Sequence, residues 1–143
     1  MKINIKDNVL IVNFCGNKKL MNDTLDLLSN EYEGPLINRQ GHNFPASFIP
    51  KTHILFPYKD KCAYVIGVLN TTSLQHELLH AKFYIDSVYR ESIIKEWTTL
   101  TADTRTRITM YLKRLGYSDK VIIDEYQAYR YTEKPNFFGF KIV

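Results

Sequence analysis

The feature that most restricts the fold is a junction in the middle of the chain. Ala63 to Leu69 is an apolar, β-branched-rich run of strand length. It leads through Asn70 into Thr71 to Asp86, and no Gly or Pro interrupts the chain from there to Trp97. The pattern predicts a strand feeding directly into a helix, which either continues past Asp86 or breaks there and resumes. Thr72 and Gln75 have capping-box spacing, with Ser73 as an alternative N-cap. Leu78, Ala81, Ile85 and Val88 make one apolar face, while Leu79 and Phe83 flank the other side. Lys82 and Asp86 leave only a narrow polar stripe and form a candidate i,i+4 ion pair. The helix is therefore expected to be buried on most sides.

Within that helix stands His76-Glu77-Leu78-Leu79-His80. Residues four apart share a helix face, with Cβ atoms roughly 6 Å apart, so two imidazoles can hold one metal ion. Glu77 lies about 100° round from His76. That is too far to make it an obvious third ligand, but near enough to reach a water on the metal. This residue order is the metalloprotease pattern of two His ligands and a Glu general base. The alternative is two histidines on a partly buried helix, bonded to backbone.

The 143 residues predict one domain, residues 1–143, with enough chain for a core. Hydrophobic and charged contents of 45% and 24% are those of an ordinary soluble protein. The net charge of +4 comes without a long Lys/Arg run, which argues against specific nucleic-acid binding. Cys15 and Cys62 match no zinc-knuckle or redox spacing, and are expected as free thiols. The first residues alternate apolar and polar, unlike a signal peptide, and no apolar run reaches membrane-spanning length. These features read as a soluble, intracellular protein without a membrane partner.

Along the chain, Lys2–Lys6 and Asn8–Phe14 predict a hairpin or one bent strand. Asn17–Asn30 predicts a helix burying Leu20, Leu27 and Leu28. Leu36–Pro50, with Gly41, Pro45 and Pro50, reads as a loop, and Thr52–Tyr58 as a short strand. Thr101 or Asp103 opens a helix with Ile108, Tyr111, Leu112 and Leu115 on its apolar face, stopped at Gly116. Ser118 or Asp119 opens the last helix, which ends near Tyr131. Phe137–Val143 reads as a tail or closing strand.

A catalytic zinc site needs a third protein ligand. On the last helix, Val121, Ile122, Ala128 and Tyr129 fall within about 60° of Glu125. Glu125 thus sits at the centre of an apolar face, where a carboxylate is costly unless paired or bound to a metal. It is the expected third ligand, with Asp124 as second choice. Asp124 and Gln127 are expected to point away and be solvated. The alternative is a Glu125 ion pair with Arg or Lys, or a hydrogen-bonded structural carboxylate.

His76-Glu77-Leu78-Leu79-His80, followed by Asp124-Glu125-Tyr126-Gln127-Ala128-Tyr129, resembles a zincin metallopeptidase of the gluzincin kind, in which the third ligand is a Glu on a later helix. The resemblance covers roughly Tyr64 to Tyr131. Leu79 departs from the Gly that many zincins carry before the second His, and the third His of metzincins is missing. The resemblance implies an α+β zincin-like fold: a small mixed or antiparallel sheet packed on the active-site helix, with further C-terminal helices. In that family a strand at the cleft edge can hold an extended peptide by main-chain pairing. It further implies a zinc-dependent hydrolase acting on a peptide or protein, with Zn²⁺ on His76, His80 and Glu125 and with Glu77 as base. Tyr129 is the expected oxyanion donor, ahead of Tyr126, His53 and His42. Asp86 or another acid could orient a ligating His, a role the sequence assigns to no one residue. The rival readings are a non-catalytic zincin-like protein-binding module and a small interaction protein in which the motif is accidental.

Overall fold

The structure, a computed structural model, describes residues 1–36 and 39–142. It is a mixed α+β fold, the class expected. Strands β1 (Lys2–Lys6) and β2 (Val9–Asn13) form an antiparallel hairpin. The turn between them is Asp7-Asn8, with φ of 51° and 68°. Two consecutive left-handed residues are what a tight hairpin turn needs, and Asp and Asn tolerate that region better than most residues.

Helix α1 (Lys18–Glu33) is capped by Asn17, whose side chain accepts from the Leu20 N–H at 3.0 Å. It buries Met21, Leu25 and Leu28. Leu20 and Leu27 are exposed, against expectation, Leu27 by 84%. They form a stripe about 100° round from the one that meets the sheet.

Strand β3 (Gly41–Pro45) lies in the segment expected to be a loop; residues 37 and 38 of that segment lie outside the described residues. Gly, His, Asn and Pro carry little strand propensity. Antiparallel pairing with β4 (Tyr64–Val68) overrides it, and Pro45 is tolerated on an edge strand. Conversely, Thr52–Tyr58 is not a strand. Turns lead there into a 3₁₀ helix, Phe56–Lys61, with Pro57 in its first turn. His53 pins the turn: Nε2 donates to the Thr24 carbonyl at 2.8 Å, and Nδ1 accepts from the Leu55 N–H at 3.0 Å.

The sheet order is β1-β2-β4-β3, with β2 and β4 parallel at its centre. Side chains alternate across it. Leu10, Val12, Phe44 and Val65 pack with Met21, Leu25 and Leu28 of α1. Val9, Tyr64 and Ile66 pack on the opposite face against Ala81, with Leu74 and Leu78 beside them. These last three residues belong to α2 (Leu74–Ile85). The sheet is therefore covered on both faces, which explains why β4 is buried throughout.

Asn70 caps a 3₁₀ turn ahead of α2, accepting from the Thr72 N–H at 2.9 Å; Ser73 occupies the N-cap of α2 without a side-chain bond. The long helical run breaks at Asp86, whose side chain accepts from the Tyr89 N–H at 3.0 Å and opens α3 (Ser87–Thr99). Val88 therefore leaves the α2 face and is 77% exposed. Lys82 lies 4.3 Å over the Tyr89 ring, while Asp86 acts as the α3 cap.

Thr101 caps α4 (Ala102–Arg114), which ends before Gly116 at φ +106°. A short 3₁₀ turn precedes α5 (Ile122–Arg130). A second core joins Ile108 and Leu112 of α4 to Ile122 and Tyr126 of α5 and to Phe138. Leu115, expected on the α4 face, is 43% exposed. The described part of the C-terminal segment makes turns, with no closing strand. No helix among the described residues is long and apolar enough to cross a membrane. Both cysteines are free.

Candidate metal centre

Helix α2 lies on the β3–β4 face of the sheet, and α5 packs against α2. One turn of α2 sets His76 and His80 on the face toward α5. Glu125, in the first turn of α5, meets them there. His80 and Glu125 are buried, and the His76 side chain is 16% exposed. The His76 and His80 Nε2 atoms are 3.2 Å apart. His80 Nε2 is 3.2 Å from Glu125 Oε2, and His76 Nε2 is 3.6 Å from Glu125 Oε1.

These separations test the fit to a metal. Nitrogen and oxygen ligands at about 2.0–2.2 Å from a tetrahedral centre lie about 3.3–3.6 Å from one another. The His76–His80 and His80–Glu125 separations, both 3.2 Å, match that edge to within about 0.1 Å, and Glu125 turns its other oxygen toward His76 at 3.6 Å. Moreover, Glu125 Oε1 is buried with no hydrogen-bond partner among the described residues. An orphaned buried carboxylate oxygen beside two converging imidazole nitrogens is a donor set suited to a borderline-soft cation such as Zn²⁺.

Asp124 corrects a sequence expectation. It is not solvated: its Oδ1 accepts from His80 Nδ1 at 2.8 Å, and its side chain is only 12% exposed. Asp86, the acid considered for this role, instead caps α3. Gln127 was also expected in solvent and is fully buried. The helical pattern of α5 identifies one apolar face, but α2, α3 and α4 all pack on this helix.

The electrostatics are strongly coupled. Burial opposes charge on His80, yet the Asp124 and Glu125 carboxylates outweigh it and hold the imidazole well above its ordinary range. Burial likewise opposes charge on Glu125, but the two histidines win and lower its carboxyl to about 2. Glu125 is thus anionic, the form a metal needs. For Asp124, burial prevails over His80 and raises the carboxyl.

Glu77 is 6% exposed and seated between α2 and β3. Its Oε2 accepts from the Asn43 amide at 3.1 Å, and the Tyr64 hydroxyl donates to Asn43 Oδ1 at 2.6 Å. A Cβ on Gly41 would lie 2.5 Å from Glu77 Oε1, so a larger residue there would displace the carboxylate. Burial raises the Glu77 carboxyl, partly offset by the histidines and Asn43. That is the direction expected of a proton acceptor.

His76, Glu77, His80, Glu125 and Tyr129 all line one cleft of about 790 Å³. The Tyr129 ring centroid is 4.5 Å from that of His76, and its hydroxyl bonds the Tyr117 hydroxyl at 2.8 Å. Burial raises the Tyr129 phenol to about 12, so it stays a donor. The other oxyanion candidates do not line the cleft. His42 lies on the α1 side of the sheet, His53 pins its turn, and the Tyr126 hydroxyl donates to Glu96 at 2.7 Å. Sequence reasoning missed Gly41, Asn43 and Tyr117, and also the buried Arg39–Glu33 ion pair in the cleft wall. Gly41, Asn43, Tyr117 and Arg39 come from segments without periodicity, so no sequence signal marked them, while Glu33 is the last residue of α1.

No family model, curated protein or solved structure matches this chain.

Proposed function

We propose that this chain is a zinc-dependent metallopeptidase of the zincin kind, its 143 residues forming a single metallopeptidase domain, with a peptide or protein as substrate. The observation that carries the reading is the convergence of His76, His80 and Glu125, whose ligand atoms lie within 4.8 Å of one another. Glu77 lies beside them in the same cleft. The mixed sheet covered by the His76 helix, with later helices bringing the third ligand, is compatible with that family's plan.

His76 Nε2, His80 Nε2 and a Glu125 oxygen are the ligands. Zinc bound there supplies Lewis acidity, lowering the pKa of a water towards about 7 and polarising a carbonyl. Asp124 holds the Nδ1–H tautomer of His80 and so leaves Nε2 free to ligate. Glu77 takes a proton from the water whose oxygen attacks the peptide carbonyl carbon. It delivers that proton to the amine nitrogen as the C–N bond breaks. The Tyr129 hydroxyl donates to the oxygen on which negative charge develops. β3, an edge strand beside Glu77, offers main-chain groups to an extended peptide.

The test is cleavage of a quenched-fluorescence peptide mixture by zinc-loaded wild type and Glu77→Gln. Cleavage by wild type, lost in Glu77→Gln while zinc remains bound, supports the enzyme. Zinc binding with no cleavage by either leaves the non-catalytic binding module. Equal cleavage by both refutes the role of Glu77.

A further inference from the structure

Gln127 is fully buried where α2, α3 and α5 meet. Burying an amide among helices is costly unless its polar atoms are matched. Here they are. Nε2 donates to the Leu79 carbonyl at 3.1 Å and to Asp124 Oδ1 at 3.0 Å, and Oε1 accepts from the Tyr89 hydroxyl at 2.7 Å. The Leu79 carbonyl can only accept, which fixes the amide orientation and turns Nε2 toward Asp124. Asp124 Oδ1 therefore receives two N–H groups, one from Gln127 and one from His80 Nδ1. The helix break at Asp86 has a role in this. Asp86 caps α3 through the Tyr89 N–H, the start of the helix that carries Tyr89 to Gln127.

We propose that Gln127 and Tyr89 are positioning residues for the metal centre, locking Asp124 so that His80 presents Nε2 to the ion. The inference rests on the metal-site part of the reading above and is independent of peptide cleavage. A hydrogen-bonded partner one shell beyond a ligand changes metal affinity about 10–100-fold. Gln127 acts one residue further out, so the low end applies.

The experiment is zinc affinity by competition with a chromophoric chelator, alongside urea unfolding of the zinc-free proteins. The proteins are wild type, Gln127→Met, Tyr89→Phe, the double variant and Ile93→Val. Ile93 is buried on α3 one turn beyond Tyr89 and has no polar side-chain atom, so its variant loosens the same helix without removing a hydrogen bond. Gln127→Met is expected to weaken zinc about tenfold and Tyr89→Phe about threefold, since only one donor is lost. The double variant should be no weaker than Gln127→Met, because both act through one chain of bonds. Ile93→Val should bind zinc as wild type does. If Gln127→Met fails to fold, Tyr89→Phe carries the test, as it removes only a hydroxyl. Unchanged affinity in the network variants overturns the inference while the metal site stands. An equal loss in Ile93→Val also overturns it, as it marks a general stability effect. Failure of wild type to take up zinc removes the metal reading and this inference together.

Discussion

Gly41→Ala should couple to Glu77 and to little else. The added Cβ would stand 2.5 Å from Glu77 Oε1 and 2.9 Å from Cδ, so the carboxylate must swing away. It then gives up its bond from Asn43, worth about 1.5–3 kcal/mol for a charged acceptor. Against this, Ala in a strand is favoured over Gly by roughly 0.5–1 kcal/mol. The net cost in the wild-type background is therefore about 1–2 kcal/mol. In a Glu77→Ala background the three atoms nearest the Cβ are gone, and the same change becomes neutral or slightly stabilising. Urea unfolding of the four proteins measures the difference, a coupling of about 1.5–3 kcal/mol. Zinc binding should survive in Gly41→Ala while cleavage falls, because the base moves and the ligands do not. Equal effects of Gly41→Ala in both backgrounds would refute the seat assigned to Glu77.

His42 supplies an acid-sensitivity test remote from the centre. Burial, aided by Arg39, lowers its pKa from 6.5 to about 3, and its ring nitrogens bond Ser29 and Asn22. The folded form disfavours the proton, so stability is intact above pH 6.5 and is lost progressively as pH falls toward 3. Between pH 7 and 5 the loss is about 2 kcal/mol more than in His42→Gln, read from urea midpoints; parallel pH profiles would count against it. Tyr129→Phe should retain zinc and lower turnover about 100-fold, the scale for one oxyanion donor; unchanged turnover would remove Tyr129 from the chemistry. A chelator should lower the thermal midpoint, since a ligand at 1,000 times its Kd adds about 4 kcal/mol; an unchanged midpoint with zinc demonstrably removed would contradict coupling of the site to folding.

The junction from β4 to α2 was legible because an apolar run without breakers allows few alternatives. Glu125 was legible because a carboxylate on an apolar face calls for a partner. What escaped was set by tertiary packing. One wheel of α5 cannot show that three helices cover it, so it points Asp124 and Gln127 to solvent. β3 owes its strand state to pairing with β4 and not to its own residues. In α1, the Leu20–Leu27 stripe and the Met21–Leu28 stripe are equally apolar, and only the sheet decides between them.

The central claim is the three-ligand site, and metal content tests it most directly. Zinc should be measured in the purified wild type, His76→Ala, Glu125→Ala and Glu77→Gln, each checked for folding. The account predicts about one zinc per chain in wild type and Glu77→Gln, with loss in His76→Ala and Glu125→Ala. A wild type that takes up no zinc or other divalent ion would contradict it, as would a Glu125→Ala protein that holds zinc as tightly as wild type.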